Sequence, residues 1–310
     1  MNIVIIGAGQ LGSRHLQAMA LLEDSMNIYV VDPLETSLEL SSKRFDEVDR
    51  FGNKSLFLLR KIDELPAAIE FAVIATTSIH RLYVIKKLFN HATVKYLLLE
   101  KFLFPFIEEY KEAQDVIAAS RTITYVNCAR RQWENYKKLK KEISNSSKIN
   151  LIAKGTNWNL ASNSIHLLDL FFYLNGREEI ELNTDHLKQQ LIQNKREGFI
   201  EFLGTISGTT ERGSMFQLTC EESDAFNFTI EIETDEDKYC IDEMNEHIDF
   251  NGMQNKFSLY YQSQLTHIIY KQLIHNGSCD LTSFEESVHY HLILLRAFNE
   301  FLGDRVGIIT

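Results

Sequence analysis

Asn2-Ile3-Val4-Ile5-Ile6-Gly7-Ala8-Gly9-Gln10-Leu11-Gly12 sets an apolar, β-branched run directly before three glycines spaced G-x-G-x-x-G. The run reads as a buried parallel strand, and Gln10 to Leu22 reads as a helix. Gly7 permits a tight turn, Gly9 removes the side chain that would obstruct a diphosphate, and Gly12 lets helix and strand pack closely. The N–H groups at the helix start, Gln10 and Leu11 first, then face the phosphates along the helix dipole. A second strand ends at Asp32, 20 residues past Gly12, where a carboxylate can bind the adenine-ribose hydroxyls. These residues predict a dinucleotide site.

Asp32 also selects between dinucleotides. A 2′-phosphate beside it would meet a like charge, and two such charges about 4 Å apart near a surface repel by about 4 kcal/mol before screening. Pro33 follows Asp32, where an arginine would be needed to hold that phosphate. The expected cofactor is NAD(H).

The chain has 310 residues, enough for two domains with real cores. No apolar stretch is long enough to cross a bilayer, and no basic segment or cleavage site marks a secretory signal. The net charge of −11 opposes general binding to nucleic acid or an anionic membrane. Cys128, Cys220, Cys240 and Cys279 lack the paired spacing of a zinc or iron–sulfur site. The expectation is a cytoplasmic protein with no metal. The acidic run from Glu231 to Asp249 reads as a solvated sheet face.

Strand and helix alternate over the first 125 residues. Strands are expected at 3–6, 28–32, 55–58, 71–76, 94–101 and 122–128, and helices near 10–22, 37–44, 81–89, 108–119 and 132–143. That order implies an α/β Rossmann fold, a doubly wound parallel sheet that gathers ligands at the carboxyl ends of its strands. Beyond it, Phe226 to Glu233 and Phe216 to Glu221 alternate apolar and polar residues. Period two with one wet face predicts an α+β domain built on an open-faced, mainly antiparallel sheet, its Phe226, Phe228, Ile230 and Ile232 under one cover. Ser283 and Glu286 form a capping box before an apolar helical stripe from Phe284 to Leu302. The expected domains are 1–125, for the dinucleotide, and 126–310, for substrate and oligomerisation.

Several motifs follow in one order: Ser13-Arg14-His15 after the glycines, Ala75-Thr76-Thr77-Ser78-Ile79-His80, Glu100-Lys101, Asn127, Arg130-Arg131, then Asn163 to Leu170 with His166 and Asp169. This series resembles the glucose–fructose oxidoreductase, inositol dehydrogenase and MocA family (Gfo/Idh/MocA). The resemblance implies a nicotinamide-linked oxidoreductase acting on a hydroxyl or ketone of a sugar, polyol or sugar derivative. It implies assembly into a homodimer or homotetramer through the open sheet. Carried over, Lys101 matches the family's active-site lysine, able to polarise an oxygen, and His166 matches the histidine that exchanges a proton with the substrate hydroxyl. Gly7, Gly9, Gln10, Leu11, Gly12, Asp32, Thr76, Thr77, His80, Glu100 and Lys101 are the expected cofactor contacts. Lys101, Trp158, Asn159, Asn163 and His166 are the expected substrate contacts. Asp169 reads as a structural hydrogen-bond acceptor.

Two positions depart from the pattern. Phe102 replaces the proline that follows the family's lysine, so the Lys101–Phe102 peptide is expected to be trans. Ser162 stands where an aspartate usually precedes the histidine, which removes an expected partner for His166. These departures support a second reading, an NAD-binding scaffold or sensor without turnover.

Overall fold

The computed structural model describes residues 1–194, 198–305 and 307–309. In chain order it begins β1 (Asn2–Ile6), α1 (Gln10–Ala20), β2 (Met26–Val31), α2 (Glu35–Asp46), β3 (Lys54–Leu59), β4 (Ala68–Ile74), α3 (Ser78–His91), β5 (Thr93–Leu99), α4 (Ile107–Ser120) and β6 (Ile123–Val126). There follow α5 (Glu134–Glu142), β7 (Asn150–Thr156), α6 (Leu160–Asn175), β8 (Ile180–Gln193), β9 (Ile200–Thr210), β10 (Met215–Glu221), β11 (Asn227–Glu233), β12 (Lys238–Asp242), β13 (His247–Phe250) and β14 (Met253–Lys256). The chain ends with α7 (Thr266–Asn276), β15 (Thr282–Ser283) and α8 (Phe284–Leu302).

These elements group into two compact units, Met1–Ala129 with Tyr260–Glu286, and Arg130–Leu259 with Ser287–Thr310. The sequence suggests a single boundary near 125, whereas a later segment returns to the first unit. Ile269, Tyr270, Leu273 and Leu281 are the cause: they join the core of Ile3, Ile5, Leu16, Ile28, Phe71 and Val73. Their apolar area leaves water in that core.

The first unit holds a seven-stranded sheet in the order β15-β6-β5-β4-β1-β2-β3. Its strands are parallel except β15, which pairs antiparallel with β6. Ile3, Val4 and Ile5 are wholly buried in β1, as a strand covered on both faces requires. β5 ends at Leu99 rather than Lys101, so the Glu100-Lys101 pair lies just past the strand.

The second unit holds an eight-stranded sheet in the order β14-β13-β12-β11-β7-β10-β9-β8. β7 and β10 pair parallel and the other neighbours antiparallel, giving a mainly antiparallel sheet. Along β11, Phe228, Ile230 and Ile232 are buried while Thr229, Glu231 and Glu233 are half-exposed. Phe226 departs from this alternation: it precedes β11 and is 54 % exposed.

Candidate functional site

Gly7 adopts φ +92°, and its N–H donates to the carbonyl of Val31 at 2.9 Å. A Cβ added to Gly12 would stand 1.7 Å from the Gly7 carbonyl oxygen, whereas one added to Gly9 would meet nothing within 4 Å. Gly12 is thus required by packing, and Gly9 leaves clear space at the start of α1. No side chain caps that helix, so the backbone N–H groups of Gln10 and Leu11 are suited to an anion. The Asp32 carboxylate accepts from Ala8 N at 2.8 Å and Leu34 N at 2.9 Å, which aims it at the turn. Thr77 is the N-cap of α3, and exposed His80 donates its backbone N–H to the Thr77 carbonyl at 3.2 Å. The Thr76 and Ser78 hydroxyl oxygens are buried with no hydrogen-bond partner among the described residues. Open space at Gly9, an uncapped helix and orphaned hydroxyls at a strand end fit a dinucleotide.

Sequence reading missed Arg44. From α2 its guanidinium donates to the Gln10 carbonyl at 3.2 Å, Gln10 Oε1 at 2.7 Å and Ser13 Oγ at 2.5 Å. A cation held on the first turn of α1 complements a diphosphate at that helix end.

Glu100 is only 3 % exposed. Its Oε1 lies 2.8 Å from His15 Nε2 and accepts from Asn127 Nδ2. His15 Nδ1 meets Thr266 Oγ1 at 2.8 Å, and Gln262 joins the group by accepting from Asn127 at 2.7 Å. Burial pushes the Glu100 carboxyl up, but the hydrogen bond and charge of His15, then Asn127 and Arg81, outweigh it and hold the group below its ordinary value. Lys101, half-buried, follows directly. The Lys101–Phe102 peptide is cis, not trans as expected. The steric preference of an isolated non-proline peptide does not decide its isomer in this packed loop, where Phe102 is 1 % exposed.

The second unit contains a cleft of about 510 Å³ lined by Trp158, Asn159, Asn163 and His166, all expected from sequence, together with Arg130, Asn157, Leu167, Phe226, Phe228, Glu243 and Met244. Asn157 and Asn159 have φ of +54° and +60°, a conformation asparagine tolerates better than most residues. Asn163 Nδ2 donates to the Trp158 carbonyl at 2.7 Å, and Trp158 Nε1 to the Thr219 carbonyl at 2.8 Å. With its ring 5.3 Å from that of Phe228, Trp158 is a fixed wall. Arg130 donates to both Glu243 oxygens at 2.7 and 2.6 Å, and the Tyr136 hydroxyl to Glu243 Oε1 at 2.6 Å. Burial opposes the Arg130 charge, but Glu243 outweighs it and raises the guanidinium pKa. This pair neutralises itself within the cleft wall. Its 113-residue separation gives no sequence signal. Asp169 is fully buried and accepts from Arg131 Nε at 2.8 Å.

Residues 1–128 match the family GFO_IDH_MocA, described as "Oxidoreductase family, NAD-binding Rossmann fold". No curated protein matches the sequence. Among solved structures, an oxidoreductase from Agrobacterium radiobacter in complex with NAD+, L-tartaric acid and magnesium superposes with TM-score 0.76 at 12 % identity, covering 99 % of this chain and 98 % of its own. A UDP-N-acetylglucosamine 3-dehydrogenase from Acidithiobacillus ferrooxidans gives 0.72 at 14 %, covering 96 % of each chain. Scyllo-inositol dehydrogenase from Lactobacillus casei, with bound NAD(H) and scyllo-inositol, gives 0.69 at 16 %, covering 97 % of each. At these identities the likeness is one of fold.

Proposed function

We propose that this chain, whose residues 1–128 match the NAD-binding Gfo/Idh/MocA oxidoreductase family, is an NAD(H)-dependent enzyme acting on a hydroxyl or ketone of a sugar, polyol or sugar derivative. The cleft that includes His166 carries the reading. It combines amide side chains at Asn157, Asn159 and Asn163 with aromatic walls at Trp158, Phe226 and Phe228. Amides hydrogen-bond to vicinal hydroxyls, and an aromatic face covers the C–H side of a sugar ring. The solved relatives' inositol and sugar-nucleotide substrates point to the same class.

Bound NAD supplies the hydride acceptor, or in the reverse direction the donor. Gln10 and Leu11 hold its diphosphate through backbone N–H groups. Asp32 takes the adenine-ribose hydroxyls and disfavours a 2′-phosphate. Thr76, Thr77 and His80 line the cofactor, and Glu100 fixes the strand end beside it. In oxidation His166 accepts the hydroxyl proton, and Lys101 stabilises the oxyanion that develops. The protein works as a homo-oligomer.

Absorbance of reduced nicotinamide, followed against a panel of polyols, sugars and sugar nucleotides, tests this reading. Turnover is expected with NAD(H) in preference to NADP(H). Lys101→Ala and His166→Asn should each lower kcat by about a hundredfold, the scale of a lost electrostatic or acid–base group, with NADH affinity nearly unchanged. NADH binding without turnover across the panel would favour the scaffold or sensor reading. Wild-type turnover in both variants would move the chemistry to other residues.

A further inference from the structure

We propose that Arg81 is a positioning residue for Lys101, clamping the loop that carries it; this rests on the reading of Lys101 as a working group. Arg81 lies in the first turns of α3 and is 2 % exposed. Its guanidinium donates to the carbonyl of Phe102, to that of Leu103 at 2.9 Å, and to that of Thr76. Two of these acceptors are the residues immediately after Lys101. The third, Thr76, lies two residues past β4, on the loop assigned above to the cofactor.

The loop needs such a clamp because the sheet does not supply one. β5 ends at Leu99, and the next helix, α4, begins at Ile107. The Tyr110 hydroxyl serves the same loop, donating to the Phe104 carbonyl at 3.0 Å and accepting from Phe104 N at 3.4 Å. On the other side of Lys101, Glu100 is held by His15 and Asn127. Glu100, Phe102, Leu103 and Phe104 are all at most 3 % exposed, so half-buried Lys101 is the link that emerges from a fixed run.

The residue type matters. A buried cation is costly unless its hydrogen bonds are made, and a planar guanidinium serves several carbonyls at once where an ammonium acts as a point donor. Its charge also acts on Glu100, favouring the ionised carboxylate that His15 and Asn127 hold. Arg81 therefore connects the cofactor loop, the lysine loop and the Glu100 cluster without itself touching substrate. A misplacement of about 1 Å at a reacting group can cost about a hundredfold in rate, the scale on which such a clamp acts.

The test uses the full-length chain with Arg81→Lys, Arg81→Gln and Tyr110→Phe. Three quantities are read: NADH affinity by fluorescence, kcat on a panel substrate converted by the wild type, and labelling of Lys101 by trace acetic anhydride. Labelling is measured by peptide mass spectrometry against Lys138, whose side chain is 79 % exposed. The expected result is a change of about tenfold in relative Lys101 labelling and a fall of about 10- to 100-fold in kcat for the Arg81 variants. NADH affinity should fall by much less than kcat, through the Thr76 contact alone, and Tyr110→Phe should follow in the same direction with smaller size. Labelling and kcat within about twofold of wild type in the folded variants would overturn the proposal, as would a loss shared equally by NADH affinity. Should Arg81→Gln not fold, the other two variants decide. An inactive Lys101→Ala beside a wild-type-like Arg81→Lys rejects the clamp alone, whereas an active Lys101→Ala rejects the underlying reading.

Discussion

At Ser162 the acid near the start of α6 comes from a strand rather than from the helix. Glu201 of β9 is 4 % exposed, and its Oε2 accepts from Ala161 N at 2.7 Å and Ser162 N at 3.2 Å. Asn194 Nδ2 donates to its Oε1 at 2.8 Å. A carboxylate at that end complements the helix dipole, on the helix that carries His166. The sequence does not reveal this contact, because 39 residues separate Ser162 from Glu201. Burial, outweighing the hydrogen bonds of Ser162, Asn194 and Ala161, holds the Glu201 carboxyl above its ordinary value. The folded chain therefore keeps this proton at pH values where the unfolded chain has released it. The resulting stability is complete below the unfolded carboxylate pKa and is lost as pH rises through the folded one. Glu201→Gln should remove that loss. Denaturant unfolding between pH 4 and 8 is expected to give a wild-type stability that falls relative to the variant as pH rises; parallel curves would show that Glu201 does not titrate there.

The glycine turn separates folding from binding within one element. Gly12→Ala drives a methyl into the Gly7 carbonyl, a backbone atom that cannot move cheaply. A loss of about 3–5 kcal/mol, or failure to fold, is expected. Gly9 has φ −64° and open space around a Cβ, so Gly9→Ala should unfold within about 0.5 kcal/mol of wild type. NADH affinity should nevertheless fall at least about tenfold, since the methyl stands where a diphosphate approaches. Thermal unfolding and NADH fluorescence check both arms, and wild-type NADH affinity in Gly9→Ala would place the diphosphate elsewhere. The same contrast explains what sequence reveals about elements. The glycine spacing and the β11 alternation are local, so their strands, turn and helix can be read from neighbouring residues. Arg81 and the Arg130–Glu243 pair act across 21 and 113 residues on backbone or charge, and periodicity carries no record of them. The segment from Tyr260 to Glu286 returns to the first unit for a related reason. Ile269, Tyr270 and Leu273 join that unit's core, and the local sequence does not record which core buries them.

Across the whole molecule, the open sheet of the second unit is the surface with most to explain, in a chain of net charge −11. Its outer face carries linked charges rather than an oily patch. Lys154 pairs with Glu231, Lys238 reaches Glu231 at 3.0 Å and Glu233 at 2.7 Å, and Lys188 pairs with Glu221. Exposed pairs of this kind contribute about 0–1 kcal/mol each to folding, so they are a weak reason for such an arrangement. Were two copies of this sheet to pair, such charges would set their register, since like surfaces must meet without clash of charge. Association through this face is therefore expected to be wet, polar and sensitive to salt. Light scattering at micromolar concentration should give a dimer or tetramer at low ionic strength. Lys238→Glu should shift it toward monomer, because the substitution sets a third carboxylate beside Glu231 and Glu233, while the second unit's buried strands remain intact. A wild-type chain that scatters as a monomer would refute this assembly. An oligomer indifferent to Lys238→Glu would move the interface to another surface.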